Sequence, residues 1–268
     1  MPEGPEVKVI TDELNKLLKN QVLNNINILG GRYKNKLPEG YNDFKINLPL
    51  KIKTINCKGK FIWFNLEKDW TIWNTLGMSG GWKNEPVKHS DIKLNFSDNK
   101  NIWFTDQRHF GTVKFCKTNL LEKKLKTIGP DLLSDDSITE IQFLNKIKKY
   151  SDHSLPKILM DQHIFSGIGN YLKAEILYKS KISPFRLIQN ITDEEIINLF
   201  NNCRDIIKLS YNSKGATIRN YSDLSNNDGE FSFSFKVYNR STDDLGNKVI
   251  KSKTNDNRTT HWVTEIQK

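Results

Sequence analysis

The chain reads as an α+β multidomain protein. A leading helix and an N-terminal antiparallel β-sandwich come first (a barrel would give the same pattern), a helical domain follows, and a C-terminal β-hairpin closes the sequence. Three observations carry this reading. An apolar stripe at helical spacing opens the chain, and short aromatic and β-branched runs broken by Gly, Asn and Asp follow to about residue 118. Helical periodicity then takes over beyond the breaker Gly129-Pro130. At 268 residues the chain is too long for one small core and about right for two domains, with a boundary near 125–135; counting the closing hairpin segment separately, we divide it at 1–127, 128–228 and 229–268.

Val7, Ile10, Leu14, Leu17 and Leu18 form the opening stripe and predict a helix over 5–20. Pro5 suits its first turn, where a missing N–H costs nothing. Strands are predicted at Val22–Ile28, Phe61–Leu66, Ile92–Phe96, Ile102–Thr105 and Thr112–Phe115. Residues 135–212 read as helical, including an apolar helix from Leu155 that runs into Gly167-Ile-Gly-Asn170 and a second helix from Tyr171. Past Gly215 the chain is polar. Phe231-Ser-Phe-Ser-Phe-Lys-Val-Tyr alternates strictly and predicts a strand, and Val249–Lys253 and His261–Ile266 predict two more around the turn-forming Thr254-Asn-Asp-Asn-Arg-Thr.

The formal net charge of +10 points to a polyanionic partner, either nucleic acid or an anionic membrane. A merely solvated basic surface is the plainer alternative. No apolar run approaches a membrane span, the start lacks a signal-peptide pattern, and Asp12 and Glu13 weaken the first helix as a membrane-surface helix. The expected location is therefore intracellular, cytoplasm or nucleus, with a viral factory added only by the resemblance described below. Cys57, Cys116 and Cys203 are far apart and form no Cys-x-x-Cys pair, which argues against a disulfide framework or a zinc knuckle.

Four stretches could carry chemistry. Met1-Pro2-Glu3-Gly4-Pro5-Glu6 places two carboxylates beside a proline that becomes a secondary amine if Met1 is removed. An α-amino group titrates near pKa about 7.7–8.0, so a useful neutral fraction exists near neutrality. Its attack on an aldehyde-level carbon yields an iminium ion, an electron sink, with Glu3 placed to move protons and Glu6 behind it. The plainer alternative is a helix entry whose acids complement the helix N-terminus. In the second stretch, N–H groups at the start of the helix after Gly169 could hold a phosphate with Asn170, and Lys157, Lys173, Lys179 and Lys181 lie nearby. An ordinary capped hairpin would look the same. Third, Lys58-Gly59-Lys60 precedes a strand, and Lys60 could reach a phosphate or help polarise a sugar oxygen, unless the stretch is only a solvated turn. Fourth, Leu76-Gly-Met78-Ser-Gly and Asp106-Gln-Arg108-His109-Phe110-Gly sit at strand ends, where Met78, Arg108 and Phe110 could wedge into a base stack. Met78 and Phe110 could equally be core residues.

In this order, the four stretches resemble the formamidopyrimidine-DNA glycosylase/endonuclease VIII (Fpg/Nei) family of DNA-repair enzymes over nearly the whole chain. Gly4 in the start, and Gly167-Ile-Gly-Asn-Tyr-Leu-Lys-Ala-Glu-Ile-Leu, a helix-two-turn-helix, resemble the Nei-like branch. The resemblance implies Pro2 as nucleophile, Glu3 as general acid/base supported by Glu6, and Lys60 as a catalytic lysine, with Lys58 where relatives carry arginine. It implies Asn170 and Arg258 as phosphate contacts and Met78, Arg108 and Phe110 as the void-filling set, although His109 stands where relatives often have a second arginine. It further implies a bifunctional glycosylase and abasic-site lyase working by β,δ-elimination without a cofactor. The partner would be damaged DNA, double- or single-stranded, the enzyme a monomer, and the favoured lesions oxidised pyrimidines and hydantoins.

Two alternatives stay open: an Fpg-like preference for oxidised purines, and a DNA-damage binder without catalysis. Retention of Met1 would make the Pro2 nitrogen a tertiary amide and enforce the second. Most bacterial relatives place four zinc-binding cysteines around the C-terminal hairpin. Here there are none, and Val263 and Ile266 stand where the last pair would be. No metal is expected. The region resembles a zincless finger, in which packing among Val249, Ile250, Trp262 and Ile266 would replace the metal. The Asn- and Lys-rich composition is compatible with a large-virus source. The base-contacting loop is expected within 215–232.

Overall fold

The computed structural model describes residues 2–217 and 222–268. The described residues fall into two compact units. One comprises Pro2, residues 6–127 and the segment 214–230; the other comprises Glu3–Pro5, residues 128–213 and 231–268.

The first unit is built on antiparallel strands β1 (Val22–Ile28), β2 (Leu50–Lys58), β3 (Phe61–Leu66), β4 (Trp70–Thr75), β5 (Gly80–Lys83), β6 (Ser90–Phe96), β7 (Asn101–Asp106) and β8 (Thr112–Lys117). Their order is β5-β7-β6-β1-β2-β3-β4-β8. β1 and β2 pair only at Val22–Lys51 and Leu23–Leu50, so the sheet folds there into two four-stranded layers. Helix α1 (Gly4–Leu18) contributes Val7, Ile10, Leu14 and Leu18 to the core, beside Phe44, Phe64, Trp82 and Phe104. Short helices α2 (Tyr41–Lys45) and α3 (Asn119–Lys126) complete the unit.

Three of these strands escape sequence periodicity for physical reasons. A register shift between Ile52 and Thr54 interrupts the alternation of β2. Strand β4 buries Thr71 and Asn74 completely. Each is satisfied there: the Thr71 hydroxyl donates to Cys116 O (3.0 Å), and the Asn74 amide donates to Thr112 O (2.9 Å) while accepting the Trp82 indole N–H (3.0 Å). Strand β5 begins with Gly80-Gly81, which reads as a turn.

The second unit holds α4 (Glu140–Lys148), α5 (Leu155–Met160), α6 (Asn170–Lys179), α7 (Asp193–Asn212) and a hairpin of β9 (Ile250–Lys253) and β10 (Thr259–Trp262). Capping boxes Thr139/Gln142 and Thr192/Glu195 start α4 and α7. Helix α6 is buried on every side from Tyr171 to Leu177, two charged residues included. The apolar helix ahead of it is shorter than expected: α5 ends at Met160, and the Gln162 amide bridges Met160 O and Ile168 O across the following turn.

The strand expected at Phe231–Tyr238 is absent. Phe231–Ser234 is a 3-10 turn, and Phe231 and Phe235 pack on the Tyr171 ring, with centroids 5.9 and 5.5 Å away. The backbone N–H groups of Lys236, Val237 and Tyr238 all donate to the Glu175 carboxylate (2.8–3.0 Å). One buried carboxylate thus takes the donors that a neighbouring strand would need.

Val249 and Val263 share a small core with Ala174 and Val237, and Ile266, Tyr178 and Tyr238 pack against it. Of the four residues expected to pack across the hairpin, Val249 and Ile266 join this core. Ile250 lies opposite Trp262 in the ladder, and Trp262 packs edge-on against Phe185 (5.3 Å). Asp243, almost fully buried, closes a five-residue loop: it accepts the N–H groups of Leu245 and Asn247, the Asn247 amide and the Tyr178 hydroxyl. Burial and that carboxylate push the Tyr178 hydroxyl up to about 12. Zinc does not fit this hairpin: Val263 is fully buried in an apolar cluster, and no thiolate stands nearby.

Candidate active site

Pro2 is buried, and Glu3 directly after it is only 3% exposed. The Glu3 carboxylate accepts the N–H groups of Tyr171 (3.0 Å) and Leu172 (3.3 Å) in the first turn of α6. The anion at this helix N-terminus is therefore a side chain of the chain itself, and these two donors are not open to a phosphate as the sequence suggested. Gly4 N–H donates to Gly167 O (2.8 Å). A Cβ on Gly169 would lie 2.2 Å from the Glu3 carboxyl carbon, so the glycine turn is what lets Glu3 reach the helix.

Glu6 is 1% exposed and takes a different partner. Its Oε1 accepts Ala216 N–H (2.8 Å), and a Cβ on Gly215, whose φ is +81°, would lie 2.7 Å from it. Glu6 thus anchors the start of the segment expected to reach the base. Further along, that segment is held by Lys83, which donates to the Ser222 hydroxyl and to Asp223 O (2.7 Å), and by Glu13, which accepts Leu224 N–H (3.0 Å). Burial lowers the Lys83 ammonium from its ordinary value and raises the Glu13 carboxyl. Of the expected base-contacting loop, residues 218–221 lie outside the described residues.

Asn170 opens α6, and its side-chain amide donates to Thr259 O (3.0 Å), next to Arg258 on the hairpin. Arg258 itself is exposed. The sequence suggested a basic surface around this helix; Lys157 and Lys181 are exposed, but Lys173 is not part of that surface. Lys173 is fully buried and paired with Asp256 (2.5 Å), while Lys179 pairs with Asp205 (2.8 Å). Burial opposes ionisation of Asp256, but hydrogen bonds from Lys173 and Thr254 outweigh it and hold the carboxyl below its usual value. Asp256 and Glu175 carry no sequence signal beyond their type.

In the first unit the structure brings the Met78 and Arg108–Phe110 turns together. Asp106, 1% exposed, accepts the Ser79 hydroxyl (2.6 Å), Arg108 N–H (3.3 Å) and Gly111 N–H (2.6 Å), and Arg108 N–H also reaches Ser79 (2.9 Å). Phe110 is 56% exposed with the Arg108 guanidinium over its ring (5.1 Å). Met78 is half-buried. His109 sits at φ +55° against buried Asp91 (3.2 Å). An exposed phenylalanine on a carboxylate-braced turn suits contact with a base stack better than a core role. Lys60 is half-buried at the start of β3, across a tight turn from Lys58, whose ammonium reaches Leu125 O (3.3 Å).

A sandwich with Met78, Arg108 and Phe110 on adjacent turns, joined in one chain to a helix-two-turn-helix and a basic hairpin, has the makings of a DNA-repair glycosylase. The comparisons agree. Residues 1–113 match the formamidopyrimidine-DNA glycosylase N-terminal domain, 128–222 its H2TH domain and 222–268 its C-terminal domain. Over 251 residues the chain is 31% identical to the formamidopyrimidine-DNA glycosylase of Ligilactobacillus salivarius (strain UCC118), covering 91% of this chain and 89% of that protein. It is similar to the Lactococcus lactis Fpg solved with abasic-site DNA (TM-score 0.87, 25% identity, 99% of both chains). It is similar also to a mutant of that Fpg solved with Fapy-dG DNA (TM-score 0.88, 25% identity, all of both chains). The chain belongs to the formamidopyrimidine-DNA glycosylase family and is a DNA glycosylase of base excision repair. The relatives named here are bacterial and lend no support to a viral source.

Proposed function

We propose that the chain is a bifunctional glycosylase and abasic-site lyase that uses the Pro2 amine as nucleophile. The observation that supports this most is Glu3: the carboxylate next to the proline is buried and held by two backbone N–H groups of α6. A proton-transfer group works only if its position is set, and here a helix start sets it.

In this reading Pro2 N attacks the anomeric carbon of an extruded nucleotide, which the duplex stack would otherwise hide. The C–N bond to the sugar forms as the glycosidic bond breaks, and the bonding pair leaves with the damaged base. Ring opening gives the iminium ion, with Glu3 moving the proton. Loss of a proton from the neighbouring carbon expels the 3′ phosphate, and a second elimination expels the 5′ phosphate. Lys60 assists at the sugar or a phosphate, and Asn170 and Arg258 contact phosphates. Met78, Arg108 and Phe110 fill the space the base vacates. The partner is damaged DNA, duplex or single-stranded, the enzyme acts inside the cell as a monomer, and the favoured lesions are oxidised pyrimidines and hydantoins, as the Gly4-containing start suggests. A preference for oxidised purines is the second reading, favoured by the similarity to the Lactococcus lactis protein solved with Fapy-dG DNA.

Borohydride trapping on an abasic-site oligonucleotide tests the chemistry, with the wild type beside Pro2→Thr and intact mass confirming removal of Met1. A covalent complex is expected from the wild type alone. A processed wild type that binds this DNA but traps nothing would leave a damage binder without catalysis. Excision from thymine-glycol and 8-oxoguanine duplexes then separates the two lesion readings.

A further inference from the structure

We propose that Lys173 is a positioning residue for Arg258, acting from beneath the hairpin through Asp256. The inference rests on the reading of Arg258 as a phosphate contact. An exposed arginine at a hairpin tip is a poor phosphate ligand unless its backbone is held, because rotamer and loop freedom must be lost on binding. Here the backbone is held at three successive points. Arg258 N–H donates to Asp256 Oδ1 (3.2 Å), Arg258 O accepts Thr254 N–H (3.0 Å), and Thr259 O accepts the Asn170 amide (3.0 Å). Asp256 is the hub, since its Oδ1 also accepts the Thr254 hydroxyl (2.6 Å). Its other oxygen is bound by Lys173, whose side chain is 0% exposed against 5% for the aspartate.

A buried lysine pointed at a turn is a costly way to gain stability, since a buried ion pair commonly contributes little over apolar residues of the same size. What it supplies is a fixed geometry. Lys173 and Asn170 lie one turn apart on α6, and the two residues between them, Tyr171 and Leu172, hold the Glu3 carboxylate. One helical turn therefore sets both the proposed acid/base and the proposed phosphate ligand. Lys173 would register a bound strand against Glu3 without touching DNA.

The test is a double-mutant cycle on abasic-site duplex, measuring Kd, its salt dependence and the rate of borohydride trapping at saturating DNA. Arg258→Ala is expected to weaken binding about tenfold and to lower the salt slope by about 1. Lys173→Met should reproduce both losses and slow trapping, Lys173→Arg should restore them in part, and Lys173→Met with Arg258→Ala should be no worse than Arg258→Ala alone. Should Lys173→Met fail to fold, the near-isosteric Asp256→Asn takes its place in the same cycle. Wild-type affinity and slope in Lys173→Met, or fully additive losses in the double variant, would overturn the inference. An unchanged Arg258→Ala would instead overturn the phosphate reading beneath it.

Discussion

Glu3 and Glu6 lie three residues apart, are equally buried, and each accept backbone N–H from a segment made approachable by a glycine. They are held in opposite ways. Glu3 meets the first turn of α6, a rigid donor set aligned with the helix dipole. Glu6 meets the N–H of Ala216, outside any helix and in an isolated bridge with Glu230. The first arrangement suits a group that must present a proton at one place. The second suits a group that ties down a loop. Sequence spacing makes the two look like a pair; in the fold their partners differ.

The largest break in the comparison should come from Glu3→Gln, with base excision falling by about 10²–10⁴-fold in single-turnover assays on a lesion duplex. Glu6→Gln should cost less, about ten- to a hundred-fold, since it misplaces a segment and removes no proton-transfer group. Equal losses in both would merge the two roles. Gly169→Ala sharpens the point without touching a carboxylate. Its Cβ would push the buried Glu3 head off its two N–H donors, so excision should fall toward the Glu3→Gln level and the unfolding midpoint should drop with it. Gly215→Ala should lower the midpoint through its backbone as well, because its positive φ adds strain of about 1–3 kcal/mol.

Asp106 extends the comparison to a third anchoring carboxylate. Asp106→Asn loses an acceptor for Gly111 N–H and should destabilise the first unit by about 1–3 kcal/mol, whereas Phe110→Ala should leave stability intact and weaken binding to abasic-site duplex. The smallest effect concerns acid. The folded Asp256 carboxyl lies below its ordinary 3.8, so its contribution to stability is present above that value and is lost as pH falls through the lower folded one. Thermal unfolding of wild type and Asp256→Asn should therefore converge at the acid end and separate above it.

Legibility followed range. Helix α1 and strands β1, β3, β6, β7, β8 and β9 stand where local periodicity puts them. Strands β2, β4 and β5 do not, because a bulge, buried polar residues and paired glycines erase the pattern. The strand expected at His261–Ile266 instead forms as β10 at Thr259–Trp262 and gives way to a turn over Thr264–Ile266. The Phe231–Tyr238 alternation misleads because Glu175, more than fifty residues earlier, claims the backbone donors. Asp106, Asp256 and Glu175 were missed for one reason: a buried carboxylate reads in a sequence like any solvated one.

The sequence by itself determined the order of elements, the family resemblance and the residue types offered for chemistry, since these reside in local spacing and in short motifs. Only the tertiary structure decided which charges are buried and paired and which stay exposed. It buried Lys173 against Asp256, 83 positions away, and left Arg258 exposed; it gave Glu3 a helix and Glu6 a loop. A charge is defined by its partners and its distance from water, and the chain acquires both only on folding.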